Sequence, residues 1–369
     1  MRLDAARADD PRRKAVREWL KAHPHPSGRD LAEAGFVAPH WPSPWGLAAD
    51  PVHQVVIDEE LATAGVRRPT NPIGIGWAGP TLLHAGTPEQ QELHLFPILS
   101  GEEIWCQLFS ETEAGSDLAA VSTRADRQGD EYVINGSKVW TSLAHNSRFG
   151  ILLARTGPAG SGRAGISYFI CPMDSPGIEI RPLVEMTGAH NFNEVFFTDV
   201  HLPVANLVGE ENDGWRLAKV TLAQERVSLS GEGALWGRGP THDDLLRVVQ
   251  LAGGCSDPVM RDRLVRTWSE GEILRALRMR ALGARVAGRP AGAESSVAKA
   301  LADDHGKRLM GLAKDMSGAA GMLAGPGPFG VDEPLWHFGF LFSPALTIGG
   351  GTSEVQRNII GERVLGLPR

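Results

Sequence analysis

The sequence has little cysteine, no long apolar run and no excess of basic charge, and each shortage excludes a class of protein. Its three cysteines, Cys106, Cys171 and Cys255, have neither the number nor the spacing of a disulfide framework or a zinc site. No segment approaches the roughly 18 consecutive apolar residues that suggest a membrane-spanning helix. Residues 1–25 are charged and contain His and Pro, unlike a signal segment. We therefore expect a cytoplasmic protein without a metal centre or a membrane anchor.

The charge and composition indicate an ordinary globular protein. A net charge of −7 gives no reason to expect binding to nucleic acid or to an anionic membrane. A chain of 369 residues with 42% hydrophobic residues is long enough for two or three packed units. Neither a serine triad nor a Gly-rich dinucleotide fingerprint is present in the sequence.

Apolar periodicity divides the chain into helical, β and helical parts. The first part predicts helices over 4–22, 31–35, 51–65 and part of 76–85. A further helix is predicted to begin after Thr87, with Thr87 as its N-cap, Pro88 at its first position and the Gln90 side chain directed back to the N-cap. The middle part predicts strands over 104–110, 120–126, 131–135, 149–156, 165–172, 178–184 and 192–200. The last part predicts helices over 213–232, 241–252, 257–286, 293–323 and 352–365. The fold class is thus a multidomain α+β protein: an N-terminal helical domain (1–100), a central antiparallel β-barrel (101–210) and a C-terminal helical bundle (211–369).

The stretch from Trp105 to Ser142 is the part of the sequence best suited to a flat polar cofactor. The small residues Ala114-Gly115-Ser116-Asp117 predict a turn whose amides and hydroxyls can approach a phosphate or a polar ring. Residues 132–140 predict two short strands joined by an Asn135-Gly136 turn. This hairpin would bring Trp140, Thr141 and Ser142 beside the end of the first strand. Taken alone, such a hairpin is more often structural than functional.

This stretch resembles the flavin-binding region of the acyl-CoA dehydrogenase family. The resemblance continues through Asn193-Glu194-Val195-Phe196-Phe197-Thr198-Asp199-Val200 and Asn206-Leu207-Val208-Gly209-Glu210, and resumes at Gly351-Thr352-Ser353-Glu354-Val355-Gln356-Arg357. It implies the family's three-part fold, FAD as cofactor, and oxidation of an acyl-CoA thioester to the trans-2-enoyl-CoA. It also implies an electron-accepting flavoprotein as partner, in the degradation of fatty acids or steroid side chains.

The reaction requires a base for the α-proton, the flavin N5 for the β-hydride and donors for the thioester oxygen. The resemblance implies flavin contacts from seven residues: Phe109, Ser110, Ser116, Trp140, Ser142, Thr352 and Glu354. Ser110 would stabilise charge at the pyrimidine end of the ring, and Ser142 would lie near N5. Family members often have an amide where Glu354 stands. Because a carboxylate near a pyrophosphate is repelled, we expect Glu354 to turn away.

The base is predicted from an exchange between two positions. Many family members carry it as the Glu of a Tyr-Glu-Gly-Thr loop, but Gly350 stands there in this chain. A branch that includes isovaleryl- and some long-chain enzymes takes the Glu from a helix, just before an Arg, and Glu225-Arg226 match that pair. Glu225 is therefore the predicted base, while the amides near Gly350 would polarise the thioester carbonyl. A pocket that becomes apolar on substrate binding would strengthen this base.

The match around the base also has implications for CoA. Arg226 is structural or lies near the CoA path. The family often has an Asp where Ala223 stands, which puts one CoA contact in doubt. A helical Glu beside an Arg is otherwise usually a solvated pair, so the inference depends on the exchange at Gly350. Three other residues of catalytic type, Glu111, Asp117 and His201, are interpreted as turn or surface residues.

Two segments depart from the family's pattern. An Arg-x-x-Phe-Gly segment of many homo-oligomeric members is replaced by Ala252-Gly253-Gly254-Cys255-Ser256, and a later Gln-x-x-Gly-Gly-x-Gly segment by Asp315-Met316-Ser317-Gly318-Ala319-Ala320-Gly321. In the family both contact the FAD of a neighbouring subunit, and some bacterial members without them are α2β2 pairs with a related chain. We expect a homo-oligomer or an α2β2 heterotetramer in which this chain is the catalytic subunit. Arg247 could substitute for the missing cation.

Two alternatives to a dehydrogenase remain open at this point. A flavin-dependent oxidase or monooxygenase on the same fold would be distinguished by rapid reoxidation of its reduced flavin in air. A non-catalytic partner subunit would be distinguished by full activity after mutation of Glu225.

Overall fold

The computed structural model describes residues 10–158, 160–229, 234–235, 239–251, 253–286, 292–322 and 333–368. It contains two compact units. One comprises residues 1–183 and 190–224, and the other comprises residues 184–189 and 225–369.

The N-terminal part is helical, as predicted. Its helices are α1 (Pro11–Ala22), α2 (Gly28–Glu33), α3 (Pro51–Thr63), α4 (Gly79–Ala85) and α5 (Pro88–Ser100). A π-helical turn, Gly74–Ala78, leads into α4. The predicted start of α5 is confirmed, because the Thr87 side chain accepts from the Gln90 amide and the Gln90 side chain accepts from the Thr87 amide. Residues 4–9 of the first predicted helix lie outside the described residues.

The middle part is one eight-stranded sheet with the hydrogen-bonded order β6-β7-β3-β2-β4-β5-β8, and β1 also pairs with β4. The strands are β1 (Trp105–Leu108), β2 (Arg124–Gln128), β3 (Glu131–Ser142), β4 (Phe149–Arg155), β5 (Ile166–Pro172), β6 (Ile178–Leu183), β7 (Phe192–Pro203) and β8 (Leu207–Val208). Most pairs are antiparallel, but β1 and β2 run parallel to β4. The strand predicted over 120–126 begins later, at Arg124, because residues 118–120 form a 3₁₀ turn.

The predicted hairpin at Asn135-Gly136 is wrong. β3 continues through both residues, and the register with β7 shifts between Ile134 and Gly136, which marks a β-bulge. The Asn135 side chain exchanges two hydrogen bonds with Asp199 of β7, at 3.0 and 2.9 Å. A Cβ on Gly136 would lie 2.7 Å from the Thr123 hydroxyl, so this position has no room for a side chain. The Asn-Gly pair therefore bends a long strand instead of reversing it.

Both faces of the central strands are buried. On one face, Ile151 and Leu153 of β4 belong to a core shared with the N-terminal helices and with Leu217 and Ala218. On the other face, Leu152 and Ala154 belong to a second cluster that the sheet encloses. This alternation along a single strand follows from the two-residue period of β-structure.

The C-terminal part is helical: α6 (Gly214–Leu229), α7 (His242–Leu251), α8 (Pro258–Val286), α9 (Glu294–Met316), α10 (Glu333–Phe342) and α11 (Ser353–Ile359). The sequence did not predict α10. The helix predicted over 293–323 ends at Met316 and is followed by a 3₁₀ turn, Gly318–Met322. Of the helices in the described ranges, none is both long enough and apolar enough to cross a bilayer.

Candidate functional site

The end of β1 lies beside β3, as the sequence predicts. The amide of Val139 donates to the Ser110 carbonyl at 2.9 Å, and the buried Lys138 ammonium donates to the Phe109 carbonyl at 3.0 Å. Phe109 is buried and its ring packs edge-on against Tyr168. Ser110 is half-buried. The segment that contains Trp140 and Ser142 is thereby attached to the residues that follow β1.

Glu111 lies in a turn, where it pairs with Ala114. Of the two predicted places, turn or surface, it occupies the turn, but its side chain is buried. Its carboxylate accepts from the Ser122 amide and hydroxyl, from the Thr123 amide, and from Lys138 at 2.7 Å. Burial raises the pKa of Glu111, but Lys138 and the other donors outweigh burial and bring this pKa to about 2. Burial lowers the pKa of Lys138 to about 8, against the attraction of Glu111.

The turn that carries Ser116 is exposed. Ser116 and Asp117 both face solvent, and the Asp117 carbonyl accepts from the Ala120 amide. His201 also lies at the surface, where its Nδ1 is 2.9 Å from Glu131. The interpretation of Asp117 and His201 as turn or surface residues is consistent with these positions.

Trp140 combines a strained backbone conformation with an exposed side chain. Its φ is +59°, a left-handed conformation that bulky residues rarely adopt. Its side chain is 63% exposed and meets Phe192 only edge-on. The hydroxyl of the neighbouring Thr141 is buried without a hydrogen-bond partner among the described residues, and Ser142 is half-buried. A large aromatic face is therefore held outward beside hydroxyl groups.

Helix α6 carries the predicted base. Its first half is fixed by Thr221, whose hydroxyl is 3.1 Å from the Tyr168 hydroxyl and 2.9 Å from the Thr81 hydroxyl. Glu225 follows one helical turn later and is buried. Arg226 is the next residue of α6, but its side chain lies outside the described part of the structure.

The loop before α11 is a tight glycine turn. Gly350 and Gly351 have φ values of +66° and +90°. The buried Gln356 side chain donates to the carbonyls of both residues, at 3.0 and 3.2 Å. Thr352 is the N-cap of α11, and its hydroxyl accepts from the Val355 amide. The Glu354 side chain is 76% exposed and lies 3.9 Å from Arg357.

The segments that depart from the family's pattern have local partners. Gly253 and Gly254 follow α7 with φ values of +86° and +97°, whereas Ala252 lies outside the described residues. Asp315 accepts from Arg263 at 2.6 Å. Arg247 forms an ion pair with Asp244, and its side chain is exposed.

Comparison with protein families accounts for almost the whole chain. Family models for the N-terminal, middle and C-terminal domains of acyl-CoA dehydrogenases match residues 5–102, 106–200 and 212–365. IpdE1, an acyl-CoA dehydrogenase of Mycobacterium tuberculosis, is 42% identical over 344 residues, which cover 92% of this chain and 86% of IpdE1. The chain belongs to the acyl-CoA dehydrogenase family. It is thus an oxidoreductase of acyl-CoA thioesters, and the predicted fold class is confirmed.

A longer relative and two solved structures extend the comparison. The acyl-CoA dehydrogenase FadE34 of M. tuberculosis is 43% identical over 339 residues, but this chain covers only 46% of its length. The crystal structure of the ChsE4-ChsE5 complex from M. tuberculosis matches with a TM-score of 0.80 and 30% identity, over 100% of both chains. The structure described as the Tcur3481-Tcur3483 steroid ACAD matches with a TM-score of 0.79 and 28% identity, over 98% of this chain and 97% of that one.

The surface around Trp140 fits the FAD on which this family depends. It offers an exposed indole and the half-buried hydroxyls of Ser110 and Ser142. Ser116 lies in the exposed turn that follows Ser110 in the chain. Glu225, Gly350, Thr352 and Glu354 belong to the other compact unit, and their place at this site stays a prediction. Sequence reasoning missed two buried cations of the first unit, Lys138 and Arg155. The described residues include no cluster suited to a metal ion.

Proposed function

We propose that this chain, built of domains 1–100, 101–210 and 211–369, binds FAD at the Trp140 surface and dehydrogenates acyl-CoA with Glu225 as the base. The observation that carries the proposal is the combination of two features. Trp140 is held outward in a left-handed conformation, and a buried helical carboxylate, Glu225, accompanies a glycine at position 350.

The residues of this chain divide the chemistry between them. Glu225 takes the α-proton of the acyl group, and the pair of electrons left behind forms the new double bond as the β-hydride departs. Bound FAD supplies the acceptor for that hydride. Trp140, Ser110 and Ser142 are the residues that would hold the cofactor ring, the indole by stacking and the two hydroxyls by hydrogen bonds. The amides near Gly350 donate to the thioester oxygen and stabilise the charge that develops there.

The test of the base is Glu225→Gln, which removes the proton acceptor and keeps the shape of the side chain. We expect retained FAD and acyl-CoA binding, with turnover reduced at least a thousandfold, roughly 4 kcal/mol in the barrier. Glu18→Gln, the same chemical change at an exposed position of α1, is the matched control and should leave turnover unchanged. Turnover within about tenfold of wild type in Glu225→Gln would show that another group is the base.

For the substrate, we propose the CoA thioester of a steroid degradation intermediate. The support is the likeness to a structure described as a steroid ACAD. The experiment is a panel of straight-chain, branched and steroid acyl-CoA thioesters with an artificial electron acceptor. Highest kcat/KM on a straight-chain substrate would contradict this choice without affecting the role of Glu225. A flavoprotein is the proposed physiological acceptor, and slow reoxidation of the reduced enzyme in air would distinguish it from an oxidase.

For the assembly, we propose an α2β2 heterotetramer with a related chain. The support comes from a structural relative that is a complex of two chains, ChsE4 and ChsE5, and from the missing Arg and Phe-Gly at residues 252–256. In this assembly each FAD site uses Glu225 of this chain and a cationic segment of the related one. Purified alone, the chain should hold less than one FAD per protomer. A homo-oligomer with full FAD occupancy and full activity would refute the proposal.

A further inference from the structure

Arg155, the last residue of β4, is a buried cation beneath the turn that carries Ser116. Its side chain is 8% exposed. Its guanidinium donates to the carbonyls of Val121, Ala119 and Gly162, each at 2.9 Å, and to the Ser161 hydroxyl at 3.2 Å. Within the described residues its hydrogen-bond partners are therefore neutral, and no carboxylate is among them. A buried charge normally requires an opposite charge, because burial removes the stabilisation by water.

One peptide group connects Arg155 to the ion pair of Glu111 and Lys138. The Val121 carbonyl accepts from Arg155, and the amide of the same peptide, on Ser122, donates to Glu111 at 2.6 Å. Glu111 then accepts from Lys138 at 2.7 Å. The order along this path is cation, peptide dipole, anion, cation, so each hydrogen bond polarises the next one in the favourable direction.

These contacts fix the turn on both sides of Ser116. Glu111 precedes it and also binds the amides of Ser122 and Thr123. Arg155 holds the carbonyls of residues 119 and 121, between Ser116 and those amides. The turn residues Gly115, Ser116 and Asp117 themselves are exposed. A rigid base of buried side chains thus supports a short exposed segment.

The buried and the exposed charges around this turn differ in what they do. Arg155, Lys138 and Glu111 are buried and bond to the backbone in or beside the turn, whereas Glu113 and Asp117 of the same turn are exposed carboxylates. The turn therefore has no excess of positive charge, and the contribution of the buried network is to fix the position of the backbone on both sides of Ser116.

We propose that Arg155 is a positioning residue of the FAD site, which fixes the turn 111–123 and thereby holds the amide and hydroxyl of Ser116 in place for the cofactor. This inference rests on the proposed function, because it requires that the chain binds FAD at the surface of this unit. It adds to that function a residue that does not itself touch the cofactor.

The experiment measures the FAD dissociation constant and the melting temperature of the apoprotein for two substitutions, in the complete chain with its partner chain if loading requires one. Arg155→Met removes charge and donors, and we expect the dissociation constant to rise at least about tenfold. Arg155→Lys keeps the charge but cannot reach three carbonyls at once, and we expect a smaller rise. Both should reduce the fine structure of the flavin absorption spectrum at full occupancy, since the turn is less ordered.

The matched control is Glu60→Gln. Glu60 is also buried and charged, and it binds Arg13 and Arg17 between α1 and α3. Its substitution should lower the melting temperature and leave the FAD dissociation constant within about twofold, because it lies among the N-terminal helices. If the FAD dissociation constant rises in proportion to the loss of melting temperature in all three variants, including Glu60→Gln, weaker binding follows from lower stability alone. That result would overturn the positioning role.

The outcomes for the proposed function and for this inference are distinguishable. If wild type does not bind FAD, both are wrong. If wild type binds FAD and the dissociation constants of the folded Arg155 variants are within about threefold of the wild-type value, the inference alone is overturned. If Arg155→Met does not fold, Arg155→Lys still decides the question, because its donor can satisfy one carbonyl and its charge is unchanged.

Discussion

Replacement of Lys138 by methionine tests whether the buried ion pair holds together the surface proposed to bind the cofactor. Methionine fills a similar volume but removes the ammonium that bonds Glu111 at 2.7 Å and the Phe109 carbonyl at 3.0 Å. Lys138 is 1% exposed and Glu111 is 7% exposed, so water cannot replace the lost partner of the carboxylate. Removal of one member of a buried ion pair costs about 3–5 kcal/mol.

The lowered pKa of Glu111 points in the same direction. Burial raises this pKa, but Lys138 and the backbone and hydroxyl donors together bring it from 4.5 to about 2, which corresponds to about 3 kcal/mol at neutral pH for all these contacts combined. We therefore expect Lys138→Met to lower the free energy of unfolding by about 3 kcal/mol. Lys138→Met/Glu111→Gln should lose less than the sum of the two single substitutions by about 2 kcal/mol, because neither side chain is then left charged and unpaired.

The pH dependence follows from the direction of the shift. Because the folded pKa of Glu111 lies below its ordinary 4.5, its contribution is complete above pH 4.5 and is lost as the pH falls toward 2. In Lys138→Met the carboxylate is buried without a cation, so protonation stabilises the variant as the pH falls. The difference in stability between wild type and variant should thus narrow toward low pH.

The assay is urea unfolding of the apoproteins, followed by tryptophan fluorescence and circular dichroism from about pH 2 to pH 8, so that it covers the range in which Glu111 titrates. The reasoning would be refuted by a loss below about 1 kcal/mol for Lys138→Met, by additive single substitutions, or by a difference that grows toward low pH. FAD retention is measured on the same samples, because the Phe109 carbonyl loses its donor in the variant.

The remaining predictions concern Trp140, Gly351 and Arg263. Trp140→Ala should release FAD during purification, since the stacking area is lost, and equal flavin content would show that Trp140 only packs on the sheet. Trp140→Gly should also lose FAD but should unfold at a higher temperature than Trp140→Ala, because glycine adopts the φ of +59° without strain; equal melting temperatures would count against this. Gly351→Ala should lower kcat/KM about tenfold or more, because its Cβ would lie 2.7 Å from the side-chain nitrogen of Gln356 at a φ of +90°. Gly253→Ala is the control for backbone strain, because Gly253 also has a positive φ but open space around the added Cβ; it should leave kcat/KM unchanged. Arg263→Gln, which removes the partner of Asp315, should change stability by no more than about 1 kcal/mol, since both side chains are exposed; a larger loss in urea unfolding would contradict the surface assignment.

Local patterns in the sequence predicted most helices and strands, and long-range contacts account for the main errors. Thr87, Pro88 and Gln90 specify the start of α5 within a few residues, so the sequence contains all the necessary information. The Asn135-Gly136 pair becomes a bulge because Asp199 pairs with it from β7, and no local pattern reveals that partner. Apolar residues without a helical period hid α10, which buries Trp336.

The same distinction applies to the candidate site. Trp140, Ser142 and Glu225 are found by motif and position in the chain. The burial of Glu111 depends on Lys138, which is distant in sequence and becomes a neighbour only when β3 lies beside the end of β1. Arg155 bonds mainly to carbonyls, which every residue has, so the sequence carries no signal for its role. A buried cation at the end of a strand is recognisable only from the structure.

The conformation of Gly350 works against any side chain at this position of the loop. With a φ of +66°, any residue with a Cβ at this position is destabilised by roughly 1–2 kcal/mol. Its carbonyl is also engaged by Gln356, so the loop cannot easily relax to another conformation. A glutamate introduced at position 350 would therefore reduce stability. Aspartate tolerates left-handed backbone better than glutamate, so the loop would accept the shorter acid at a smaller cost. On the proposed assignment of the base to Glu225, this one backbone angle keeps the carboxylate on the helix and out of the loop.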